Sequence, residues 1–288
     1  MGIVLGANQY GKAETRVVRV VRDGPRHDLR DLNVTTCLAG DLAATHLTGD
    51  NANVLPTDSQ KNTVYVFAKR HGVDQIEDFG LLLARHFVTS QPAITRARID
   101  IEEYAWQRLG PHSFQRAGGE VRTASVTVDG DGTQVVSGLT GLVLLNSTNS
   151  EFAGFVQDEY TTLPPTKDRI LATAVNAHWR HAGDRTADGT AWADAYDRVR
   201  AALVAGFVET YSLALQHTLY AMGERVLREC PGIVEVRLSL PNKHHLLVNL
   251  APFGLDNPGE VFVATDRPYG LIEGAVHRDD APAADGAW

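Results

Sequence analysis

Cysteine is nearly absent: Cys37 and Cys230 are the only two in 288 residues. That scarcity argues against a disulfide framework and for a reduced, cytoplasmic setting, leaving open one long-range pairing. No apolar run is long enough to span a bilayer, and the opening "MGIVLGANQYGKAETR" lacks the basic flank and apolar core of an export signal. There is no GxGxxG after a strand, no Walker loop, no GxSxG elbow, no HExxH and no CxxC, so the usual cofactor and metal handles are missing. Positive charge is not in excess either. With 27 Lys and Arg against 35 Asp and Glu, spread without long blocks, the net charge of −8 argues against nucleic acid as a main partner. What remains is an ordinary globular composition, 43% hydrophobic and 22% charged, with chain enough for two medium domains.

The periodicity of what is present repeats. "ETRVVRVVRDG" alternates and is β-branched, and "HDLRDLNVTTCLAGDL" follows a turn at Gly24-Pro25, which predicts a hairpin. "DSQKNTVYVFAKRHG" and "DQIEDFGLLLARHFVTS" carry apolar residues at helical spacing, including Ile76, Phe79, Leu83 and Phe87, with His71-Gly72 between them. "AITRARIDIEEYAWQRL" and "EVRTASVTVDG" return to alternation, joined by a turn in the Gly-rich "GPHSFQRAGGE". The order then restarts. "QVVSGLTGLVLLNST" and "DRILATAVNAHWR" read as strands, Ala191 to Cys230 as a helical region broken at Gly206, and "GIVEVRLSLPNKHHLLVNL" and "GEVFVATDRPYG" as closing strands.

The chain thus reads ββααββ twice, an α+β fold of antiparallel sheets with both helices on one face. Open faces and edges favour assembly. The repeat boundary falls in "DGDGT", Asp129 to Thr133, which lacks the third ligand position and terminal Glu of a calcium loop and reads as a linker. Domains are expected over 1–132 and 133–275. The Ala-, Asp-, Gly- and Pro-rich remainder predicts a flexible tail over 276–288.

Several residues offer chemistry. His178 with His181, and His244 with His245, point to opposite faces of a strand and do not converge as metal ligands; the first pair reads as a partly exposed strand end. The long polar connection from Asn146 to Ile170 holds Phe152 and Phe155 near Arg169. An aromatic face and a planar guanidinium suit a flat anionic heterocycle, while the plainer reading is a small aromatic cluster and a surface ion pair. Gln216, among Leu213, Leu215 and Leu219, reads as a buried amide that needs partners from the protein or a ligand. Asn242, Lys243 and His244 end an apolar strand run, where each singly reads as a turn or cap. In "LPTDSQKNT", Leu55 to Thr63, Pro56 keeps the preceding chain extended and Asp58 or Ser59 reads as a helix cap.

Together these segments resemble the urate oxidase (uricase) family, cofactor-free enzymes of purine catabolism built from two tandem T-fold (tunnelling-fold) domains. The resemblance runs from Tyr10 to about Tyr269, on "QYGK", "PTDSQKNT", "NSTNSEFAGF", "DEYTTL", "DR", "LQHTLY" and "LPNKH" in that order. It implies oxidation of urate by dioxygen and water to 5-hydroxyisourate and hydrogen peroxide, with no metal or organic cofactor. It further implies a barrel-like homotetramer with active sites at subunit interfaces, and neither a nucleic-acid nor a membrane partner. Carried over by motif, Phe152 stacks on the purine, Arg169 and Gln216 grip its edges, Leu215 offers backbone contact and Leu163 helps wall the site. Thr57 and Asp58 close the other side from a neighbouring subunit, Lys12 pairs with Thr57, and Asn242 and His244 lie on the far side of the ring.

The resemblance also implies a division of chemical labour. Urate is an anion near neutral pH and must lose a further proton before it reduces dioxygen, so the site needs a proton relay more than a redox metal. Lys12, Thr57 and His244 are the implied relay, Arg169 stabilises the growing negative charge, and Asn242 with Thr57 handles dioxygen and water. Some positions depart from the family pattern. Ala153 is smaller than the residue of some relatives, Pro164-Pro165 stiffens the approach to Arg169, and "DGAW" replaces a Ser-Lys-Leu peroxisomal signal, favouring a bacterial cytoplasmic protein. Two other readings use the same fold: a purine- or pterin-binding protein without oxidase activity, and pterin enzymes that anchor their ligand with a glutamate and often a metal. Lys12, Thr57 and His244 favour the oxidase, since a binder needs no relay.

Overall fold

The computed structural model describes residues 2–130, 132–187 and 189–284. Asp131 of the expected linker and the last four residues of the expected tail lie outside the described residues. The chain divides into two compact units. One holds the chain up to Gly138, Trp179–Ala195 and the chain from Pro282; the other holds Leu139–His178 and Tyr196–Ala281.

The first unit opens with the expected hairpin, β1 (Tyr10–Val21) and β2 (Asp28–Gly40). A short helix, α1 (Ala43–Thr48), follows; it buries no residue and so has no hydrophobic period to betray it. Helices α2 (Thr57–Arg70) and α3 (Ile76–Ser90) separate at His71 and Gly72, as the spacing predicts. Strands β3 (Ile94–Glu103) and β6 (Val121–Asp129) complete the pattern. Between them, where the sequence suggests a strand end and a turn, β4 (Trp106–Arg108) and β5 (Phe114–Arg116) pair in a small ribbon. The main sheet is antiparallel in the order β1-β2-β3-β6, and β7 (Gly132–Asn146) begins beside β6.

Alternation settles which face of this sheet is covered. Ala97, Ile99 and Ile101 of β3 join Phe79, Leu83 and Phe87 of α3 in one buried cluster, while Arg98 and Asp100 pair with each other on the opposite face. Each large apolar side chain so buried contributes roughly 1.5–3 kcal/mol. A one-residue slip would turn all of them outward, so this face fixes the register.

Within the first unit, residues Trp179–Ala195 contribute to a buried polar node. His181, at the end of β8 (Leu171–His181), is only 5% exposed, which corrects the reading of a partly exposed strand end. Its Nε2 lies 2.9 Å from Ser137 Oγ, which donates to Glu77 Oε1 at 2.7 Å; Arg122 donates to Glu77 Oε2 at 2.7 Å. Ser137 has one proton and gives it to Glu77, so it accepts from His181, whose proton sits on Nε2. A serine that faces the carboxylate directly is not the nucleophile of a Ser-His-acid triad. Trp192 packs edge-on to the imidazole at 4.8 Å and donates to Asp78 at 2.7 Å. Burial first, and the Arg122 charge second, lower the His181 pKa to about 4.

The second unit follows the same plan with two corrections. Its strands lie in the order β7-β8-β9-β12, with β9 at Ile233–Pro241 and β12 at Leu271–His277. Gly206 does not break the helical region. It lies inside α4 (Trp192–Glu209), where a Cβ would come within 2.8 Å of the Met222 Cα in α5 (Leu215–Glu229). That glycine permits close helix contact, and the break falls in the segment between Glu209 and Leu215. The second correction concerns the closing strand. The run "GEVFVATDRPYG" gives β11 (Phe262–Thr265), which pairs with β10 (His244–Leu247) in a separate ribbon, while β12 pairs with β9. Both runs show strand character, and only the partner distinguishes them. β12 also includes Val276 and His277, and Arg278 donates to the Leu227 and Ile233 carbonyls, so the first residues of the expected tail are held. Among the described residues no helix is long and apolar enough to cross a membrane.

Candidate active site

The second unit builds a strip of backbone that gathers four of the predicted residues. Ser150 bridges Ser212, with Glu151 N–H donating to Ser212 O at 2.8 Å and Ser212 N–H to Asn149 O at 2.9 Å. Phe152 exchanges backbone hydrogen bonds with Thr166 at 2.8 and 3.0 Å. Arg169 is held from the same strip: its N–H donates to Ser150 O at 2.9 Å and its Nε reaches Ser150 Oγ at 3.4 Å. The guanidinium carbon lies 5.5 Å from the Phe152 ring centre, and Phe155 stacks on Phe152 at 4.9 Å with only 13° between the planes. A ring backed by a second ring and flanked by a planar cation can hold a flat anion by stacking and a charged fork together. Burial lowers the Arg169 pKa, yet a guanidinium stays charged. Among the described residues the side-chain hydrogen-bond partner of Arg169 is the Ser150 hydroxyl, not the carboxylate of the plainer reading.

Leu215 and Gln216 open α5 directly after this strip. The Ser212 hydroxyl accepts from Thr218 Oγ1 at 2.8 Å and donates to Ala214 O at 3.1 Å, which ties the helix start to Ser150. The first amides of a helix have no acceptor within it, so Leu215 and Gln216 present backbone donors at the start of α5. Gln216 is exposed, against the expectation of a buried amide. Neighbours on a helix face about 100° apart, and Leu215, Leu219 and Met222 take the buried stripe. Leu163, 57% exposed, lies in the same connection. Asn242 is half-buried, bridges Thr173 and donates its N–H to Gly270 O at 2.8 Å; His244 begins β10 opposite Thr265. Among the described residues no hydrogen bond ties Leu163, Asn242 or His244 to the Phe152–Arg169 strip.

Lys12, Thr57 and Asp58 belong to the first unit. Pro56 stands in the cap position of α2 with ψ 140°, and no side-chain cap bond forms, so neither Asp58 nor Ser59 caps the helix. The Asp58 carboxylate turns along the helix instead, accepting from Lys61 and, at 2.9 Å, from Asn62. Its pKa is lowered by the Lys61 bond first, and the charge of Lys12 also contributes. Two backbone devices aim that lysine. Lys12 opposes Thr36 but Thr15 opposes Val34, so one extra residue is inserted, with Glu14 at φ 56°. Lys12 and Thr15 are an odd number of residues apart and would face opposite sides of a regular strand; the bulge puts both on the helix-covered face. At Gly11 a Cβ would lie 1.7 Å from the Thr36 carbonyl oxygen, so only glycine allows this approach of β1 to β2.

Sequence reasoning did not single out Ser150, Ser212, Thr36 or Gln60. Gln60 had a readable signal: with Val64 and Ala68 it occupies the i, i+4, i+8 stripe that α2 buries. A polar residue on such a stripe requires a partner.

Fold and site together define a class: tandem antiparallel-sheet modules in which the connection between two sheet strands, β7 and β8, carries a stacked aromatic pair and a fixed guanidinium. A family model described as uricase matches residues 8–127 and 135–273. The uricase of Arthrobacter globiformis is 49% identical over 291 residues, covering 99% of this chain and 94% of the relative, and that of Dictyostelium discoideum is 36% identical over 282 residues, covering 94% and 96%. The crystal structure of the Arthrobacter globiformis uricase agrees with a TM-score of 0.93 over 98% of both chains at 49% identity. A urate oxidase from Bacillus sp. TB-90 agrees with a TM-score of 0.81 at 25% identity, over 94% of this chain and 100% of that one. The chain belongs to the uricase family.

Proposed function

We propose that the two residue clusters are the two halves of a urate oxidase site. The chain is an oxidoreductase of urate degradation that converts urate, dioxygen and water to 5-hydroxyisourate and hydrogen peroxide. The observation that carries the site assignment is Ser150, which holds Arg169 beside the Phe152 ring and, through Ser212, fixes the start of α5. In this reading urate stacks on Phe152, and Arg169 and Gln216 grip its edges. Leu215 gives a backbone donor and Leu163 walls the rim. Arg169 then faces the charge that accumulates as the second proton leaves, in a site that the apolar wall shields from water.

The second half comes from a neighbouring subunit of a homotetramer, which brings Thr57 and Asp58 over the ring. Thr57 alone is a poor base; beside the Lys12 amine, which has a lone pair to take the proton from its hydroxyl, and with His244 supporting that lysine, it passes the proton onward. Asn242, with Thr57, orients dioxygen and water above the ring without adding charge. The exposure of Gln216 and Leu163 supports closure by a second chain. We assign the chemistry to these side chains without a metal or organic cofactor, divide the modules at 1–132 and 133–275, and place the protein in the bacterial cytoplasm.

The test is loss of the near-ultraviolet absorbance of urate in air with purified protein, with peroxide followed in parallel and with and without a chelator. Urate loss with matching peroxide, unchanged by the chelator, is expected. No loss would overturn the activity, and chelator-sensitive loss would overturn the cofactor-free assignment.

A further inference from the structure

Between Lys12 and the start of α2 lies a buried hydrogen-bond chain to which the proposed chemistry assigns no part. Gln60 is fully buried, at 0% exposure, and Thr36 is at 1%. The Thr36 hydroxyl donates to Gln60 Oε1 at 2.7 Å and accepts the Lys12 backbone N–H at 3.3 Å. On its other side, Gln60 Nε2 donates to Leu55 O at 3.4 Å, and the Tyr10 hydroxyl donates to the same carbonyl at 3.0 Å. The Gln60 backbone N–H closes the turn on Pro56 O at 3.2 Å. One amide therefore touches, through a single hydroxyl, the strand that carries Lys12 and, through a single carbonyl, the segment that leads into Thr57.

We infer that Gln60 is a positioning residue that sets the distance between Lys12 and Thr57, acting through Thr36 on one side and Leu55 on the other. Three features make the arrangement specific. The Thr36 proton is committed to Gln60, so its oxygen is oriented to accept from Lys12 and not to donate elsewhere. The Gly11 contact presses β1 against the Thr36 carbonyl, and the bulge beyond Lys12 frees residues 10–12 from the register that the core imposes on Thr15 and Val17. Residues 10–12 thus need their own anchor, and Gln60 supplies it. An apolar residue would fit the buried stripe of α2 with Val64 and Ala68 but would leave the Thr36 hydroxyl without its acceptor.

This inference rests on the relay reading of Lys12 and Thr57, and the experiment separates the two. Gln60→Met and Thr36→Val keep volume and remove the link. Each is compared with the parent, with Lys12→Met and with the double variant Gln60→Met/Lys12→Met, measuring kcat, KM for urate, the pH profile of kcat and the unfolding midpoint. We expect kcat to fall roughly 10- to 100-fold, as for a misplacement of about 1 Å, with KM within about twofold and a displaced pH profile. In the Lys12→Met background Gln60→Met is expected to cost nothing further, because residues acting as one unit are not additive. A kcat within twofold of parent in folded Gln60→Met and Thr36→Val would overturn the inference, as would a full additive loss on top of Lys12→Met. If Gln60→Met does not fold, Thr36→Val, which keeps the Gln60 bond to Leu55, decides by the same readouts. Unchanged turnover in Lys12→Met alone would instead remove the relay itself.

Discussion

Ser150 holds both ends of Arg169: its carbonyl accepts the arginine amide at 2.9 Å and its hydroxyl lies 3.4 Å from the side-chain Nε. The guanidinium is thus aimed before any ligand arrives. Arg169→Lys keeps charge but loses the planar fork, and is expected to raise the urate KM by roughly 10- to 100-fold. Ser150→Ala keeps the fork and the backbone bond and should cost about 0.5–1.5 kcal/mol of the same quantity. Initial rates against urate concentration check both. An effect of Ser150→Ala as large as that of Arg169→Lys would show that Ser150 does more than aim the cation.

Removing the relay should separate turnover from binding. Lys12→Met and Thr57→Ala are each expected to lower kcat by about 10²- to 10⁴-fold, the usual range for a lost proton-transfer group. Urate binding under anaerobic conditions, read by difference absorbance, should stay within a few-fold of the parent. Near-parental turnover in both variants would exclude the relay.

A methyl group at Gly11 has no room. With a Cβ 1.7 Å from the Thr36 carbonyl oxygen, a backbone atom that no rotamer change can move, Gly11→Ala must push β1 off β2 at the position that aims Lys12. We expect a lower unfolding midpoint, by on the order of 1–3 kcal/mol, and a loss of turnover larger than stability alone explains. Wild-type activity in Gly11→Ala would show that the strand end relaxes freely.

The buried imidazole of His181 makes the fold sensitive to mild acid. Its pKa is lowered from 6.5 to about 4 by burial and then by Arg122, so between those values the unfolded chain binds a proton that the folded chain does not. The associated stability is complete above about pH 6.5 and is lost as pH falls toward about 4, a change on the order of 3 kcal/mol. The groups around the imidazole are Ser137, Glu77, Arg122 and Trp192. His181→Gln, which retains an N–H for Ser137, should flatten the pH dependence of the unfolding midpoint across that window. An unchanged slope would place the titration elsewhere.

Much of this architecture was legible because alternation and helical spacing record burial, and burial is what the sheet and helices are made by. The hairpin of β1 and β2, helices α2 and α3, and the repeated order follow from that alone. The misreadings have a common cause: they concern partners. Gly206 looks like a break until Met222 is seen against it, β11 looks like a sheet strand until its pairing with β10 is known, and His181 looks exposed until Glu77 and Ser137 arrive from elsewhere in the chain. The motif residues were recognisable by type and order. Their supports, Ser150, Ser212, Thr36 and Gln60, act through hydrogen bonds to distant backbone, which one-dimensional spacing does not encode.

The extra residue in β1 gives the strand two phases. Beyond Thr15 the polypeptide answers to the hydrophobic interior; before it, to the reach of one amine. Substitution can therefore tune the scaffold without rotating Lys12. Conversely, sliding the insertion by a position would redirect the amine without rebuilding the helices above it. One amine and a load of buried hydrocarbon keep separate coordinates on one continuous peptide.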